Sequence, residues 1–252
     1  MVQVREQRYR DDEGQLDEAA WLAQLSTHAS LSDGDTMRLA QALETLRGCS
    51  EKPARDLRDW AREADCEWAG VETAQVLAEL RVGRDCLIAG LLYRAVREER
   101  LPLATVEEQC GPRVARLVEG VLRMAAIADL RNPENEVVLG QAEAQRDNIR
   151  KMLVDLVDDV RVALIKLAER TCALRAVKKD EERRELVARD VFYVYAPLAH
   201  RLGIGHLKWE LEDLSFRYLY TDSYMRIARL LDGKRLERDR FIARVRNQLS
   251  GV

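Results

Sequence analysis

The stretch VALIKLAERTCALRAV, residues 162–177, decides the fold class. Its apolar residues recur at intervals of three and four, which is the period of an α-helix with one buried face. The same apolar stripe begins upstream at Ile149 and runs through Val160. An apolar face of this length predicts a long helix within a helical core.

The rest of the chain has the same period. Only 5 prolines and 13 glycines interrupt the 252 residues, and no segment alternates as a half-buried strand does. We therefore predict an all-α protein, a compact multi-helix bundle. Residues 16–235 are predicted to form one domain, between a frayed polar N-terminus at 1–15 and a segment, 236–252, that carries a final amphipathic helix near 236–249.

Capping residues and helix breakers predict the individual helices. Helices are expected at 18–25, from the cap-rich SDGDT at 32–36 onward, and at 54–64, 71–80, 85–99, 105–110 and 112–124. The second of these helices has Met37, Leu39 and Leu43 on its apolar face. Helix-breaking residues near the middle of 128–141 predict a loop. The charge run at 178–190 alternates in sign, which predicts a solvated turn and helix start.

The composition argues against several classes of protein. A net charge of −3 and a pI near 5.8 give no overall basic field for non-specific binding of nucleic acid. The sequence has no run of about 18 uncharged apolar residues and no signal-peptide core, so we predict a cytoplasmic protein without a membrane partner. The 5 cysteines are scattered and the 3 histidines are few, so reduced, mostly buried thiols are expected rather than disulfides or a zinc site.

Two charged residues lie on faces that the apolar pattern predicts to be buried. Arg94 follows the run CLIAGLL at 86–92 and shares a helical face with Leu87. Glu169 shares a face with Ile165. A buried charge needs a counter-ion, a ligand or solvent within reach. We therefore predict an ion pair between Arg94 and Glu169, with a catalytic carboxylate at Glu169 as the alternative.

Two long segments carry a family resemblance. AQRDNIRKMLVDLVDDVRVALIKLAERTCALRAV, at 144–177, and YAPLAHRLGIGHLKWELEDLSFRYL, at 195–219, resemble the N-terminal hydrolase-like region of long bacterial RelA/SpoT homologues, and the likeness spans 71–242. In the hydrolase-competent members this region resembles an HD domain, in which two histidines and two aspartates hold a Mn²⁺ ion. That ion polarises a water molecule for attack on the 3′-pyrophosphate of (p)ppGpp.

The chain departs from the hydrolase pattern at most of the matching positions. At the positions of the metal ligands, Ala69 and Gly70 replace the His-Pro start, Tyr93 and Arg94 replace the His-Asp pair, and Glu169 replaces the later Asp. At three neighbouring motifs, Arg97 and Glu98 replace a Glu-Asp pair, Ala173 replaces an Asn and Ala176 replaces a Thr. One carboxylate remains of four ligands, and the guanidinium of Arg94 would repel a divalent ion. The resemblance therefore implies an inactive hydrolase site without bound Mn²⁺ or another cofactor.

These substitutions resemble the RelA branch, whose enzymes synthesise (p)ppGpp with a downstream domain and keep an inactive hydrolase-like domain. Nothing in residues 1–252 resembles the synthetase site, so we expect a fragment of a GTP pyrophosphokinase that makes no alarmone alone. The resemblance implies that the whole protein to which this fragment belongs, its parent, transfers pyrophosphate from ATP to GTP or GDP when ribosomes carry uncharged tRNA. We expect this chain to regulate the synthetase domain. Residues 236–252 are expected to lead towards that domain.

Other functions remain open on the sequence. Residual Mn²⁺-dependent hydrolysis of ppGpp would act through Glu169, and a self-standing interaction module would fold without the synthetase domain. A remnant pocket would instead bind the phosphates of a guanine nucleotide through basic side chains. The candidates for that role are Arg94, Arg97, Arg170 and Arg175.

Three further features have simpler interpretations. His200 and His206 flank a short Gly-x-Gly connection, which is a weak signal for a metal or phosphate site. Trp209 and the apolar residues that follow it are expected to pack in the core or between domains. Lys166 and Arg161 are expected on solvated helix faces.

Overall fold

The computed structural model describes residues 9, 15–50, 52, 65–129 and 159–231. Within these ranges the chain forms helices and turns, apart from a single bridge residue at Leu16, so the all-α prediction is confirmed. The helices are α1 (Glu18–Ala29), α2 (Asp33–Ser50), α3 (Cys66–Glu79), α4 (Arg84–Arg97), α5 (Leu103–Cys110), α6 (Pro112–Asp129), α7 (Val160–Ala176), α8 (Glu181–Asp190), α9 (Ala196–Arg201), α10 (Gly205–Leu219) and α11 (221–231).

Aspartate side chains start several of these helices. Asp17, Asp65, Asp159 and Asp180 each precede a helix and accept a hydrogen bond from a backbone N–H in its first turn. These bonds satisfy N–H groups that have no partner inside the helix. A short 3₁₀ segment, Val177–Lys179, joins α7 to α8, and a π-helical segment, Val191–Tyr195, joins α8 to α9.

Helices α3, α4 and α7 meet in the core, and α4 and α7 carry almost continuous runs of buried residues. Glycines allow the helices to approach closely. A Cβ atom placed on Gly70 of α3 would lie 2.3 Å from the backbone oxygen of Leu91 in α4. A Cβ atom on Gly90 of α4 would lie 2.4 Å from the Cδ1 atom of Leu77. The contact between α3 and α4 therefore depends on residues without side chains.

Most predicted helices within the described ranges are confirmed, with different ends. The helix predicted at 71–80 begins earlier, at Cys66, and the helix predicted at 112–124 continues to Asp129. The predicted helix at 54–64, the stripe at 149–157, the helix near 236–249 and nearly all of the loop at 128–141 lie outside the described residues.

The burial of individual side chains confirms some predictions and corrects others. The charge run at 178–190 is mostly solvated, as predicted, and the cysteines are free thiols, four of them buried. Met37 is 63% exposed, so the prediction that it faces the core is wrong. Trp209 is 71% exposed and takes no part in the core, whereas Leu211 is buried. Lys166 is 1% exposed, so its predicted place on a solvated face is also wrong.

Candidate functional site

Glu169 occupies the centre of the site that the family resemblance indicates. It lies in the middle of α7 and is 2% exposed, because its helical neighbours belong to the buried face of that helix. Arg170 binds both of its oxygens, with Nη2 2.6 Å from Oε1 and Nε 2.8 Å from Oε2. The ammonium of Lys166 lies 2.9 Å from Oε2. The carboxylate therefore carries a bidentate arginine and a lysine on its two oxygens.

Lys166 connects Glu169 to Tyr93, which stands where the family resemblance places the histidine of a His-Asp pair. Its Nζ lies 3.5 Å from the hydroxyl of Tyr93 and 5.6 Å from the centre of that ring. Tyr93 is itself fully buried on α4. The structure thus brings Tyr93 and Glu169 together across α4 and α7, with a lysine ammonium between them.

The π-helical segment places a second aromatic ring against this cluster. Tyr195, the last residue of the segment, is buried, and its ring centre lies 5.7 Å from the guanidinium carbon of Arg170. Arg170 therefore contacts an aromatic ring as well as the carboxylate of Glu169. We refer to Tyr93, Lys166, Glu169, Arg170 and Tyr195 as the ionic cluster.

Burial and neighbouring charges both shift the pKa values of Glu169 and Lys166. Burial alone would raise the pKa of Glu169, but the adjacent charges of Arg170 and Lys166 hold that pKa well below its usual range. Burial first, and the charge of Arg170 second, lower the pKa of Lys166 to about 7, even though the carboxylate of Glu169 raises it. The amine is close to losing its proton at neutral pH mainly because it is buried.

Arg94 and Glu98 form a separate buried pair. Nε of Arg94 lies 2.5 Å from Oε1 of Glu98, one helical turn further along α4, and both side chains are almost completely buried. Arg100 lies 2.6 Å from Oε2 of Glu98 and donates to the backbone oxygens of Ser50 and Lys52. Glu98 therefore compensates Arg94 directly and connects the end of α4 to the end of α2.

The two charges that the sequence singled out thus both have close counter-ions. Glu98 lies against Arg94, and Arg170 and Lys166 lie against Glu169. The direct pair between Arg94 and Glu169 stays a prediction, which thermodynamic coupling can test.

The remaining predicted positions differ in their surroundings. Ala69 and Ala173 are buried, and Ala176 is exposed. Arg97 lies at the end of α4 and is partly exposed, and its charge acts on Tyr93, Lys166 and Glu169. These three alanines offer no polar side chain to a metal ion or a substrate.

Three of the four arginines predicted to bind phosphate already contact carboxylates. Arg175 binds Oε1 of Glu210 through Nε and Nη2, at 2.8 Å and 2.5 Å, and this contact connects α7 to α10. Arg94 and Arg170 pair with Glu98 and Glu169 as described above. A phosphate at these three arginines would therefore compete with existing ion pairs, and nucleotide binding stays a prediction.

The donor set does not fit a divalent metal ion. Ala69 and Tyr93 stand at the positions that the family resemblance assigns to imidazole ligands, and both oxygens of Glu169 already bind cationic side chains. Across residues 15–50, 65–129 and 159–231, no group of three or more His, Cys, Asp or Glu side chains is arranged to hold a metal. His200 and His206 are exposed and belong to no such group.

Sequence reasoning missed Lys166 and Arg170 as the partners of Glu169. A signal existed for each, because Lys166 lies three residues before Glu169 on the same helical face and Arg170 follows it directly. Lysine is seldom fully buried, which made a solvated face the more reasonable interpretation.

The part of the chain that the structure describes contains no helix with both the length and the apolar character of a membrane span.

Comparisons with known proteins identify the domain and the family. Residues 65–205 match the family described as HD domain. The chain is 39% identical over 233 residues to a GTP pyrophosphokinase of Photobacterium angustum (strain S14), an alignment that covers 88% of this chain and 31% of that protein. It is 44% identical over 176 residues to the GTP pyrophosphokinase of Escherichia coli (strain K12), covering 69% of this chain and 23% of the relative.

A relative with a different name is also similar. The bifunctional (p)ppGpp synthase/hydrolase SpoT of Escherichia coli (strain K12) is 36% identical over 184 residues, covering 72% of this chain and 25% of SpoT. The chain thus spans less than a third of the length of each of these three relatives. Together, the domain match and the shared identity show that the chain belongs to the RelA/SpoT family and carries its N-terminal HD domain.

Proposed function

We propose that this chain is a catalytically inactive, metal-free HD domain of a RelA-type (p)ppGpp synthetase and that it regulates the synthetase domain in the stringent response. The observation that carries the proposal is the ionic cluster, in which Arg170 and Lys166 bind the carboxylate matching a metal ligand of the hydrolases.

The chemistry of hydrolysis explains why this arrangement argues against activity. In the hydrolases the metal ion makes a bound water acidic enough to act as the nucleophile. Glu169 would have to leave both of its cationic partners to bind such an ion. Breaking a buried ion pair by removing one partner costs on the order of 3–5 kcal/mol, and this cost opposes metal binding.

The activity of the parent protein also belongs to the proposal. Two of the relatives described above are named GTP pyrophosphokinases, and this supports a parent that transfers pyrophosphate from ATP to GTP or GDP. We propose the cytoplasm as its location. The proposed partners are the synthetase domain, and, for the whole parent, ribosomes with uncharged tRNA.

A hydrolysis assay tests the inactive state. The purified chain is incubated with ppGpp and Mn²⁺, with SpoT of Escherichia coli as the positive control, and the release of GDP and pyrophosphate is measured. We expect no release above that of buffer with Mn²⁺. Mn²⁺-dependent release that Glu169→Gln abolishes would refute the proposal. Glu185→Gln, which changes an exposed carboxylate paired with Arg189, is the matched control.

A second assay tests regulation in the parent that joins this domain to a synthetase domain. Glu210 is the useful position because it is buried and connects α7, which carries the ionic cluster, to α10. We expect Glu210→Gln to change the rate of ATP-dependent pppGpp synthesis or its dependence on ribosomes, whereas the more exposed Glu212→Gln leaves both unchanged. Equal rates and equal ribosome dependence in all three proteins would contradict coupling between the two domains.

A further inference from the structure

A groove lies on the surface where α2, α4 and α5 meet. Its volume is about 630 Å³, which is a size that many small-molecule sites have. The floor is apolar, because Ala42 of α2 and Ile88 of α4 lie there and are almost completely buried. The walls are polar and come from the two outer helices, with Arg38, Gln41, Glu44 and Thr45 on α2 and Gln109 and Cys110 on α5. We call this site the α2–α5 groove.

Two side-chain amides lie at the rim of the α2–α5 groove. The hydroxyl of Thr45 donates to Oε1 of Gln109 across the groove, at 2.7 Å, so this end of the groove has a fixed width. The contact engages the oxygen of Gln109 and leaves its two N–H groups for another acceptor. Gln41 lies one turn before Thr45, and its side chain makes no hydrogen bond with any residue that the structure describes. The rim therefore offers an amide on each wall.

Two charges of opposite sign lie along the α2 wall. Arg38 and Glu44 are exposed, and in the described part of the chain neither side chain forms a hydrogen bond or an ion pair. The next arginine of α2 is different, because Arg47 binds the carboxylates of Glu18 and Glu67. Six residues separate Arg38 from Glu44, which places them about 9 Å apart along the helix axis and on different sides of it, too far round for a pair within the helix.

A short peptide with free termini carries groups that match this arrangement. Its carboxylate would bind the guanidinium of Arg38, and its ammonium would bind the carboxylate of Glu44. Three extended residues span about 10 Å, which is comparable to the separation of these two charges. The backbone amides of the peptide would pair with Gln41 and Gln109.

The same groups disfavour a nucleotide or another polyanion. Only one cation, Arg38, lines the α2–α5 groove, and Glu44 would repel a second phosphate. The apolar floor at Ala42 and Ile88 suits the small side chains of a peptide.

We propose that the α2–α5 groove binds a peptide of two or three residues with free termini, with its carboxylate at Arg38 and its ammonium at Glu44. None of the residues that line the groove belongs to the ionic cluster, so the proposal does not depend on the proposed function.

A titration with trialanine, followed by nuclear magnetic resonance of the whole chain labelled with ¹⁵N, tests the proposal. The side-chain NH₂ signals of Gln41 and Gln109 report on the site, and each is identified by its loss in Gln41→Met or Gln109→Met. We expect both signals to shift with saturation. N-acetyl-trialanine amide, which keeps the peptide groups and lacks the charged termini, should bind severalfold more weakly.

Charge variants locate the two termini. Arg38→Gln and Glu44→Gln should each weaken the binding of trialanine severalfold. Arg123→Gln and Glu119→Gln are the matched controls, because they change exposed residues of α6 that have the same charges and lie outside the groove. These two variants should bind trialanine as the unmodified chain does.

Three results would overturn the proposal. The first is the absence of a saturable shift at millimolar trialanine. The second is equal binding of the blocked peptide, or equal weakening in the α6 controls, since the charges of the groove would then have no role. The third is the same shifts with sodium acetate alone, which would identify a site for an isolated carboxylate. Saturable binding that Arg38→Gln and Glu44→Gln both weaken supports the peptide site.

Discussion

At the scale of single residues, the partner of Arg94 is the sharpest question. The structure pairs Arg94 with Glu98, whereas the sequence suggested Glu169. We expect Arg94→Met to lower the free energy of unfolding by about 1.5–3 kcal/mol, because Glu98 loses a buried charged partner and keeps Arg100. Double-mutant cycles, measured by urea unfolding, should give a coupling energy of about 0.5–3 kcal/mol for Arg94→Met with Glu98→Gln. A larger coupling of Arg94→Met with Glu169→Gln would instead support the direct pair with Glu169.

Lys166 should make the stability of the domain depend on pH. Its pKa falls to about 7 in the folded protein, whereas an unfolded lysine holds its proton up to about pH 10.4. Between these values the unfolded chain binds more protons, so the contribution of Lys166 to the free energy of unfolding rises with pH and is lost as pH falls through 7.

Urea unfolding at several values between pH 7 and pH 9 measures this contribution. We expect a smaller increase of stability with pH in Lys166→Met than in the unmodified chain. Lys208→Met, at a partly exposed lysine paired with Glu212, should keep the original slope. Equal slopes in Lys166→Met and the unmodified chain would show that Lys166 keeps its proton in the folded state.

The burial of Glu169 could be predicted from the sequence, whereas the sequence showed only that Lys166 and Arg170 lie near it along the helix. Apolar residues one turn before and after it fix the face on which it lies, and that face is buried as expected. The identity of a counter-ion depends on the directions of long side chains, which spacing alone leaves undetermined. The side chain of Lys166 extends into the core, where its ammonium lies against the ring of Tyr93, and the sequence pattern does not specify this direction.

At the scale of helices, the contact of α3 with α4 gives a direct prediction. Gly70→Ala should lower the free energy of unfolding by about 1–3 kcal/mol, because the new methyl group meets the backbone oxygen of Leu91 and the helices must separate. Gly48→Ala is the matched control, since that glycine lies in α2 with open space around its Cα. It should stabilise the protein by about 0.5–1 kcal/mol through helix propensity. Equal effects in thermal unfolding would mean that the contact at Gly70 adjusts easily.

The same contact explains an error in the predicted start of α3. Gly70 is a poor helix former, so the sequence favoured a start at Val71, yet the helix begins at Cys66 with Asp65 as its cap. Tertiary packing outweighs propensity here, because only a glycine allows the backbone of α4 to approach this closely. Gly70, one of the two residues at the position that the family resemblance assigns to a His-Pro start, therefore serves the packing of α3 against α4.

At the scale of the whole molecule, metal ions should have no effect on stability. A ligand that binds only the folded state raises the melting temperature through mass action. Because the donors of the ionic cluster do not fit Mn²⁺, we expect an unchanged melting temperature on adding the ion at millimolar concentration. Circular dichroism at 222 nm follows the transition. A rise that disappears in Glu169→Gln would reveal a metal site at the cluster.

The π-helical segment Val191–Tyr195 sets the rotation of the helices that follow it, α9 and α10, relative to α8. A turn of π-helix contains one residue more than a turn of α-helix, so it resembles a single insertion in an otherwise regular helix. Deleting one residue there would turn everything after it by about 100° around the helix axis. Glu210 would then face away from Arg175. The length of this five-residue segment thus sets the orientation of α9 and α10 relative to α7, and the same segment supplies Tyr195 to the ionic cluster, so a change of one residue would disturb both the contact with α10 and the cluster.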